Sequence, residues 1–355
     1  MRVVFFVQGA RVPAARARGF VIARALEADG IPCSVRVARP SVYGDTRLPW
    51  PLNLPRPLYA PFAALSRVAQ LRDLRDDDVV FFQRPMTELP TMLLERLAAR
   101  GRRAIFDFDD AIFERRSNRK KFPALVALAD RVIAGSAYLA AATRAPGKTM
   151  IIPTAVDAER YAFQPTRERR GRDVVVGWTG LDINYRQLLH ALPGLTRALE
   201  RTGARFLAIS NAPPPAELAP LRPEFVRWRP ETEIEDLARI DVGVMPLPDG
   251  PIERGKCSYK LIQYMAMGRP GVASPVGSNP DVVTEGVDGF LPRDDAGWER
   301  AIVDLVEDTA LRRAVGARAR ARVEAAYSVR AVLPLYKEAI EAAQGAARAM
   351  GGTSW

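Results

Sequence analysis

One histidine and two cysteines in 355 residues set the first limits on what this chain can do. His190 sits in the apolar stretch L-L-H-A-L and reads as structural or at the solvent edge. That leaves no histidine for a catalytic triad and rules out a multi-histidine metal site. Cys33 and Cys257 have no nearby cysteine or histidine to pair with, so neither a disulfide framework nor a zinc site follows, and a reducing cytosol is the simplest compartment. No apolar run approaches the roughly 18 residues of a membrane span. Met1 and Arg2 lead straight into V-V-F-F-V without a signal-peptide pattern, so a cytoplasmic protein is expected. No G-x-G-x-x-G follows that first strand, which disfavours a dinucleotide site. There is no solenoid repeat, and no aromatic-basic motif that would support nucleic-acid binding.

The chain is long enough, at 39.1 kDa and 48% hydrophobic residues, for two α/β domains. A formal charge of +11 points to anionic partners: a nucleotide, an anionic lipid surface or nucleic acid. Arginine richness in a proline- and alanine-rich chain is also what genomic bias alone produces.

The first half reads as a doubly wound domain. Val3 to Val7 ends at Gln8-Gly9, a helix is predicted from about Arg16 to Ala28, and a strand over Ser34 to Val37. Ligands in such sheets sit beyond the carboxyl ends of the strands. Arg16 and Arg18 open the first helix, where a pair of arginines is commonly just solvated. The proline-rich Pro49 to Pro61 and a helix over Phe62 to Leu74 form a long excursion, with Trp50, Tyr59 and Phe62 as interfacial candidates against ordinary packing. The strand Asp78 to Gln83 ends at Arg84. The strand at Ala104 to Phe106 leads into D-F-D-D, three carboxylates in four residues (Asp107, Asp109 and Asp110). They mark a cleft site, or a helix cap at Asp109 or Asp110. The basic run Glu114 to Lys121 is either a solvated face or an attractor for a phosphorylated lipid or anionic membrane.

The second half opens with the strand Val174 to Trp178, the turn T-G-L-D at Thr179 to Asp182, and a predicted helix Asn184 to Arg201 carrying Arg186. Its centre is Pro246 to Asp281. A short buried strand, Asp241 to Met245, is stopped by prolines, and a loop follows with Glu253, Arg254, Gly255, Lys256 and Cys257. Ser258 is positioned to cap a helix running to Met267 that bears Tyr259, Lys260 and Gln263. Strand-to-helix turns bind anions through free backbone N–H groups and the helix dipole. Arg254, Lys256 and Lys260 make a diphosphate the natural guest, with a solvated basic face as the bland alternative.

The run G-K-C-S-Y-K-L-I-Q-Y-M-A-M-G-R-P, followed by P-V-G-S-N, resembles the donor-binding segment of family 4 retaining glycosyltransferases, in a bacterial branch with a G-K-C-x-Y-K-L-x-Q-Y-M-A motif. The first half resembles it more weakly, through A-A-R-A-R, D-F-D-D and P-T-A-V-D. The resemblance implies a GT-B fold, two facing Rossmann-like domains with a cleft between them. It implies an N-terminal acceptor-side domain over 1–163, a linker at 164–172, a nucleotide-sugar domain over 173–327, a helix at 328–345 crossing back, and a tail at 346–355. Two glutamates of the family fall on Gly255 and Gln263 here. The Gln263 amide is able to replace the ribose contact, and Glu253 is the substitute for the sugar contact.

By the same resemblance, Asp109, Glu253 and Lys256 serve catalysis. Gly9, Arg16, Gly180, Arg186, Arg229, Arg254, Gly255, Cys257, Ser258, Tyr259, Lys260 and Gln263 hold the donor, Arg229 lying where relatives grip the base. Arg18, Arg84, Asp107 and Asp110 face the acceptor. No cofactor or metal is implied, the nucleotide sugar being a co-substrate. The acceptor is a glycan, a lipid-linked or a small molecule, with peripheral contact at the cytoplasmic membrane face as a further partner and no nucleic acid. The turn after the strand at 174 usually supplies a basic residue to the diphosphate, and Arg186 is the local candidate. A non-catalytic nucleotide-sugar-binding subunit and an epimerase of the same fold are the alternatives.

Overall fold

The computed structural model describes residues 1–39, 56–162 and 168–345, at 56–60 the backbone alone. Trp50, the Tyr59 side chain and the tail at 346–355 therefore lie outside the described residues, as do residues 164–167 of the expected linker. The chain divides into two compact units, Met1–Pro153 with the chain from Val332 onward, and Thr154–Ala331.

In the first unit the strands are β1 (Val3–Val7), β2 (Cys33–Val37), β3 (Val79–Gln83), β4 (Arg103–Phe108), β5 (Arg131–Ala134) and β6 (Thr149–Ile151). They form one sheet in the order β2-β1-β3-β4-β5-β6, all neighbours parallel. Between them run α1 (Val21–Ala28, entered through a π-helical turn at Ala15–Phe20), α2 (Arg56–Gln70), α3 (Leu93–Ala99), α4 (Lys121–Leu128) and α5 (Ala137–Ala142). The apolar run V-V-F-F-V and the run V-V-F-F closed by the polar Gln83 are buried throughout, as parallel strands covered on both faces must be. Strand order reverses between β1 and β3, which makes their carboxyl ends the crevice of this sheet.

Arg67, on α2, draws that crevice together. Its buried guanidinium donates to the carbonyls of Val7 (2.6 Å), Arg36 (2.8 Å) and Met86 (3.2 Å), joining the ends of β1 and β2 to the loop after β3. With no carboxylate among those partners, burial pushes its pKa down to about 9, offset in part by the charge of Glu95.

The second unit contains β7 (Val175–Gly180), α6 (Tyr185–Leu188), α7 (Leu192–Thr202), β8 (Arg205–Ser210), β9 (Glu224–Arg227), α8 (Glu233–Ala238), β10 (Val242–Met245), α9 (Pro251–Arg254), α10 (Tyr259–Ala266), β11 (Gly271–Ala273), α11 (Asn279–Val282), β12 (Gly289–Phe290), α12 (Asp295–Glu307) and α13 (Thr309–Arg322). Its sheet order is β12-β11-β10-β7-β8-β9, again parallel, with the reversal between β7 and β10. The single helix predicted over Asn184 to Arg201 is interrupted by a 3-10 turn at Leu189–Ala191, after which Pro193 sits in the first turn of α7, where its missing N–H costs nothing.

A row of glycines decides how α10 lies on this sheet. Gly177, Gly243, Gly271 and Gly289 are in register across β7, β10, β11 and β12. A Cβ on Gly243 would stand 2.1 Å from the Tyr264 ring, and one on Gly271 2.1 Å from Leu261. The bare strands let α10 sink onto the sheet, where Leu261, Ile262, Tyr264 and Met265 join the buried cluster. Tyr264 then reaches across β10 and accepts a hydrogen bond from the Thr179 amide at 2.9 Å.

The last helix, α14 (Val329–Gly345), crosses the division between the units. Its Tyr336 packs on Phe81 of β3, and Lys337 pairs with Asp29 at 2.5 Å. The division at Pro153–Thr154 falls ten residues before the predicted boundary at 163. Val156 pairs with Ser328, and Tyr161 is buried against Gln263, so this stretch is held by the second unit.

Candidate functional site: a cationic turn in the second unit

The loops after β7 and β10 flank the point where strand order reverses, the place where doubly wound sheets bind ligands. The loop after β10 is not irregular throughout, because Pro251 to Arg254 form the short helix α9. Behind it the turn P-V-G-S-N acts as a brace. Ser278 bonds the Lys256 carbonyl through both its amide (3.2 Å) and its hydroxyl (3.0 Å). Gly277, in the left-handed region at φ 63°, approaches so closely that a Cβ would stand 2.8 Å from the Glu253 carbonyl.

Ser258 does not cap α10. Its backbone is left-handed at φ 54°, and its buried hydroxyl is held 2.7 Å from both Ser278 Oγ and Asn279 Oδ1. The helix therefore begins with no side-chain cap, which leaves its amino end open toward an anion. Cys257 and Gly255 are buried in the same loop, whereas Lys256, Tyr259 and Lys260 are half-buried. The Lys260 ammonium lies over the Trp178 ring, 4.5 Å from its centroid, and a Cβ on Gly180 would come within 2.8 Å of it. Burial, with the neighbouring charge of Lys256, pushes its pKa down to about 7.

Two other cations are already engaged. Arg254 is exposed and turned back on Asp249, with Nε–Oδ1 at 2.6 Å and a second bond at 3.0 Å. Arg186 approaches the buried Glu253 at 3.5 Å, so two predicted site residues meet each other. Gln263 is buried, and its amide donates to the Tyr161 hydroxyl at 2.8 Å. Burial, with the nearby Tyr259 and Glu233, holds that phenol well above its ordinary range. Glu233 also accepts from Trp228 Nε1 at 3.3 Å, while Arg229 next to it is exposed.

In the first unit the predicted acceptor residues, with the predicted catalytic Asp109, separate into two groups. Arg18 and Asp107 are fully buried and bound to each other through Nε (3.0 and 2.8 Å) and a terminal nitrogen (2.5 Å), and Arg18 also donates to the Ile152 carbonyl. Burial opposes the Arg18 cation, but the Asp107 charge more than restores it and holds the guanidinium well above the ordinary arginine range. These two are core residues and present no free group to a ligand. Arg84 and Asp109, by contrast, lie at the strand ends, paired at 2.7 Å, with Asp110 3.8 Å from Arg84. Arg84 holds a left-handed backbone at φ 65°, uncommon for a residue with a side chain. It borders a cavity of about 190 Å³ with Gln8, Thr87, Glu88, Arg115, Ser117 and Asn118. Gly9 is buried and Arg16 half-buried beside this strand end. The basic run is exposed at Arg115, Arg116, Arg119 and Lys120, but Lys121 is buried against Glu95 at 2.8 Å. Among the described residues no helix is long and apolar enough to cross a membrane.

Residues 174–308 match the family model described as glycosyl transferases group 1, a span that contains the whole cationic turn. That span of the second unit is similar to a group 1 glycosyl transferase domain. No curated protein matches the chain in sequence. Solved structures match it over almost its full length. HepE from Anabaena, in complex with UDP and glucose, is 18% identical with a TM-score of 0.68, over 96% of this chain and 99% of its own. Sucrose-phosphate synthase from Thermosynechococcus elongatus is 18% identical with a TM-score of 0.67, over 96% and 99%. A glycosyltransferase from Rickettsia africae is 13% identical with a TM-score of 0.66, over 97% and 99%. The fold is GT-B, as the motif implied.

Four residues that build the site were not legible as site residues. Trp178 carries Lys260, Tyr264 ties α10 to the β7 turn, Tyr161 holds Gln263, and Asn279 anchors Ser258. Asn279 had a signal in P-V-G-S-N. Tyr161 had none, lying 102 residues from its partner.

Proposed function

We propose that the protein is a glycosyltransferase that moves a sugar from a nucleotide diphosphate donor to a hydroxyl acceptor, with retention, as a family 4 enzyme of bacterial glycan or glycoconjugate synthesis. The observation that carries the reading is the open turn at the reversal of the second sheet, where Lys256 and Lys260 flank an amino helix end with no side-chain cap. Such a site stabilises negative charge, and in glycosyl transfer the charge that develops is on the departing diphosphate. The UDP, glucose and UDP-glucose named in the HepE complexes support this donor chemistry.

The reaction on this reading breaks the bond from the sugar's anomeric carbon to the diphosphate and forms one to the acceptor oxygen. The acceptor's proton passes to the leaving phosphate, so no protein base of unusual strength is required. Asp109 and Arg84 at the strand ends of the first unit, beside the polar cavity, are the acceptor candidates. The exposed cations from Arg115 to Lys120 favour an acceptor with an anionic group or one presented at an anionic membrane surface. Gly255 and Gln263 bear no carboxylate, which keeps a binding subunit without transfer as the second reading.

A thermal-shift panel of UDP, ADP, GDP and their sugars, followed by chromatography of products with candidate acceptors, tests both. Stabilisation by one nucleotide series is expected, since a ligand of the folded state alone raises apparent stability. Binding with no transfer to any acceptor would favour the second reading, and no stabilisation by any nucleotide would overturn both.

A further inference from the structure

The turn after β7 contains no cation of its own: Gly180 ends the strand, Leu181 and Asp182 follow, and the next basic side chain along the chain, Arg186, is turned to Glu253. The space that a side chain at 180 would fill is taken from another element. The Lys260 ammonium reaches across from α10 over the Trp178 ring, and a Cβ on Gly180 would collide with both that ring (2.6 Å) and the ammonium (2.8 Å). Tyr264, one helical turn further along α10, fixes this approach through the Thr179 amide. Resting on the donor reading above, we propose that Lys260 is the diphosphate-gripping cation of the β7 turn, supplied from α10, and that it takes up a proton from solvent as the donor binds.

The electrostatic surroundings make this specific. Among the described residues the Lys260 ammonium has no hydrogen-bond acceptor and no ion-pair partner, only the ring face, which stabilises a cation weakly compared with a carboxylate. Its closest charged influence is Lys256, of like sign. From α9, Glu253 is committed to Arg186, and Arg254 to Asp249. From the β7 turn, the Asp182 carboxylate accepts the Ile183 amide. The strands beneath, β7 (V-V-G-W-T-G) and β10 (V-G-V-M), contribute no charged side chain. An amine held in this way gives up its proton near neutrality, and a diphosphate placed against it makes the ammonium favourable again. The reaction is R–NH2 + H⁺ → R–NH3⁺ and uses a buffer proton alone. Glycine at 180 then has a purpose: any larger residue would displace the lysine.

The test is isothermal calorimetry with UDP-glucose, whose diphosphate is esterified at both ends and carries no proton that titrates near neutrality. Titrations in two buffers of different ionisation enthalpy at each pH give the protons taken up. For a group titrating near 7, uptake should be about 0.5 proton at pH 7 and about 0.9 at pH 8, with affinity falling about 25-fold from pH 6.5 to 8.5. Lys260→Arg keeps its charge over this range, so it should bind with no proton uptake and a flat pH profile. Lys260→Met should lose the uptake and bind at least tenfold more weakly at pH 6.5. Gly180→Ala should behave like Lys260→Met with the lysine still present, its folding checked by circular dichroism. Proton uptake that persists in Lys260→Arg, or wild-type binding with none, would overturn the proposal and leave the donor reading standing. Failure of the folded wild type to bind UDP-, ADP- or GDP-sugars would overturn the donor reading, and this proposal with it.

Discussion

The Tyr264 ring lies directly over Gly243, so that a Cβ on the glycine would stand 2.1 Å from it. The same tyrosine accepts the Thr179 amide, which makes the Gly243 contact the point that sets α10, and with it Lys260 and Gln263, against the β7 turn. Gly243→Ala should therefore act in two ways. Overpacking should lower stability by about 1–3 kcal/mol in urea denaturation. Nucleotide affinity should fall as well, in the fraction that remains folded. An unchanged urea midpoint would mean that α10 rides freely on the sheet.

Lys256→Ala should weaken nucleoside diphosphate binding by about 1.5–3 kcal/mol, the range for hydrogen bonds to charged groups, or roughly ten- to a hundredfold in affinity. The side chain is half-buried and its loop is held by the Ser278 and Gly277 contacts to the backbone, so folding should be nearly untouched. Calorimetry with UDP reads the change. Equal affinity in the variant would remove this loop from the site.

Both the architecture and its centre were legible before the fold. Runs such as V-V-F-F-V admit little besides a strand buried on both faces, and the G-K-C-S-Y-K-L-I-Q-Y-M-A segment marked the cationic turn at the reversal of the second sheet. Burial of charge was not legible. Arg18 and Asp107 stand 89 residues apart and look like ligands, yet they form a pair in the core, because nothing local shows that a π-helical turn will lower Arg18 onto β4. The Ser258 cap failed for a similar reason. A serine before a helix favours capping, but here two buried side-chain contacts, with Ser278 before α11 and Asn279 at its start, compete for the hydroxyl and win.

Asp109→Asn should lower turnover with acceptor while leaving nucleotide affinity within about threefold, since Asp109 belongs to the first unit and the cationic turn to the second. The substitution also removes the charge facing Arg84, which sits 2.7 Å away. Arg84→Gln should consequently depress turnover in the same direction. Loss of nucleotide binding in Asp109→Asn, or unimpaired turnover, would show the carboxylate to be misplaced.

The pH dependence of stability should carry the mark of Lys260. Its folded value is lowered to about 7 from 10.5, so between those limits the unfolded chain binds more protons than the folded one. Stability of the unliganded protein should then rise with pH through that window, because the slope of unfolding free energy has the sign of the proton excess in the unfolded state. Urea midpoints at pH 7 and pH 9 should show wild type gaining on Lys260→Met. A constant difference between the two proteins would place the titration elsewhere.

Gln263 and Tyr161 offer the clearest separation of packing from binding. The amide donates to the phenol at 2.8 Å in a buried setting. Gln263→Leu leaves the hydroxyl without its donor, at a cost of about 1–3 kcal/mol, whereas replacing both partners by apolar groups of similar shape should come close to neutral. The double variant Gln263→Leu with Tyr161→Phe should thus recover most of the stability lost in Gln263→Leu, and a double-mutant cycle measures the coupling. If Gln263 also holds the nucleotide ribose, that double variant should remain deficient in nucleotide affinity despite its recovered fold. Gln263→Glu should be tolerated, since the phenol can reverse its role and donate to the new carboxylate, which also suits a ribose hydroxyl. Recovery of both stability and affinity in the double variant would make the pair a packing device and move ribose recognition to another part of the site.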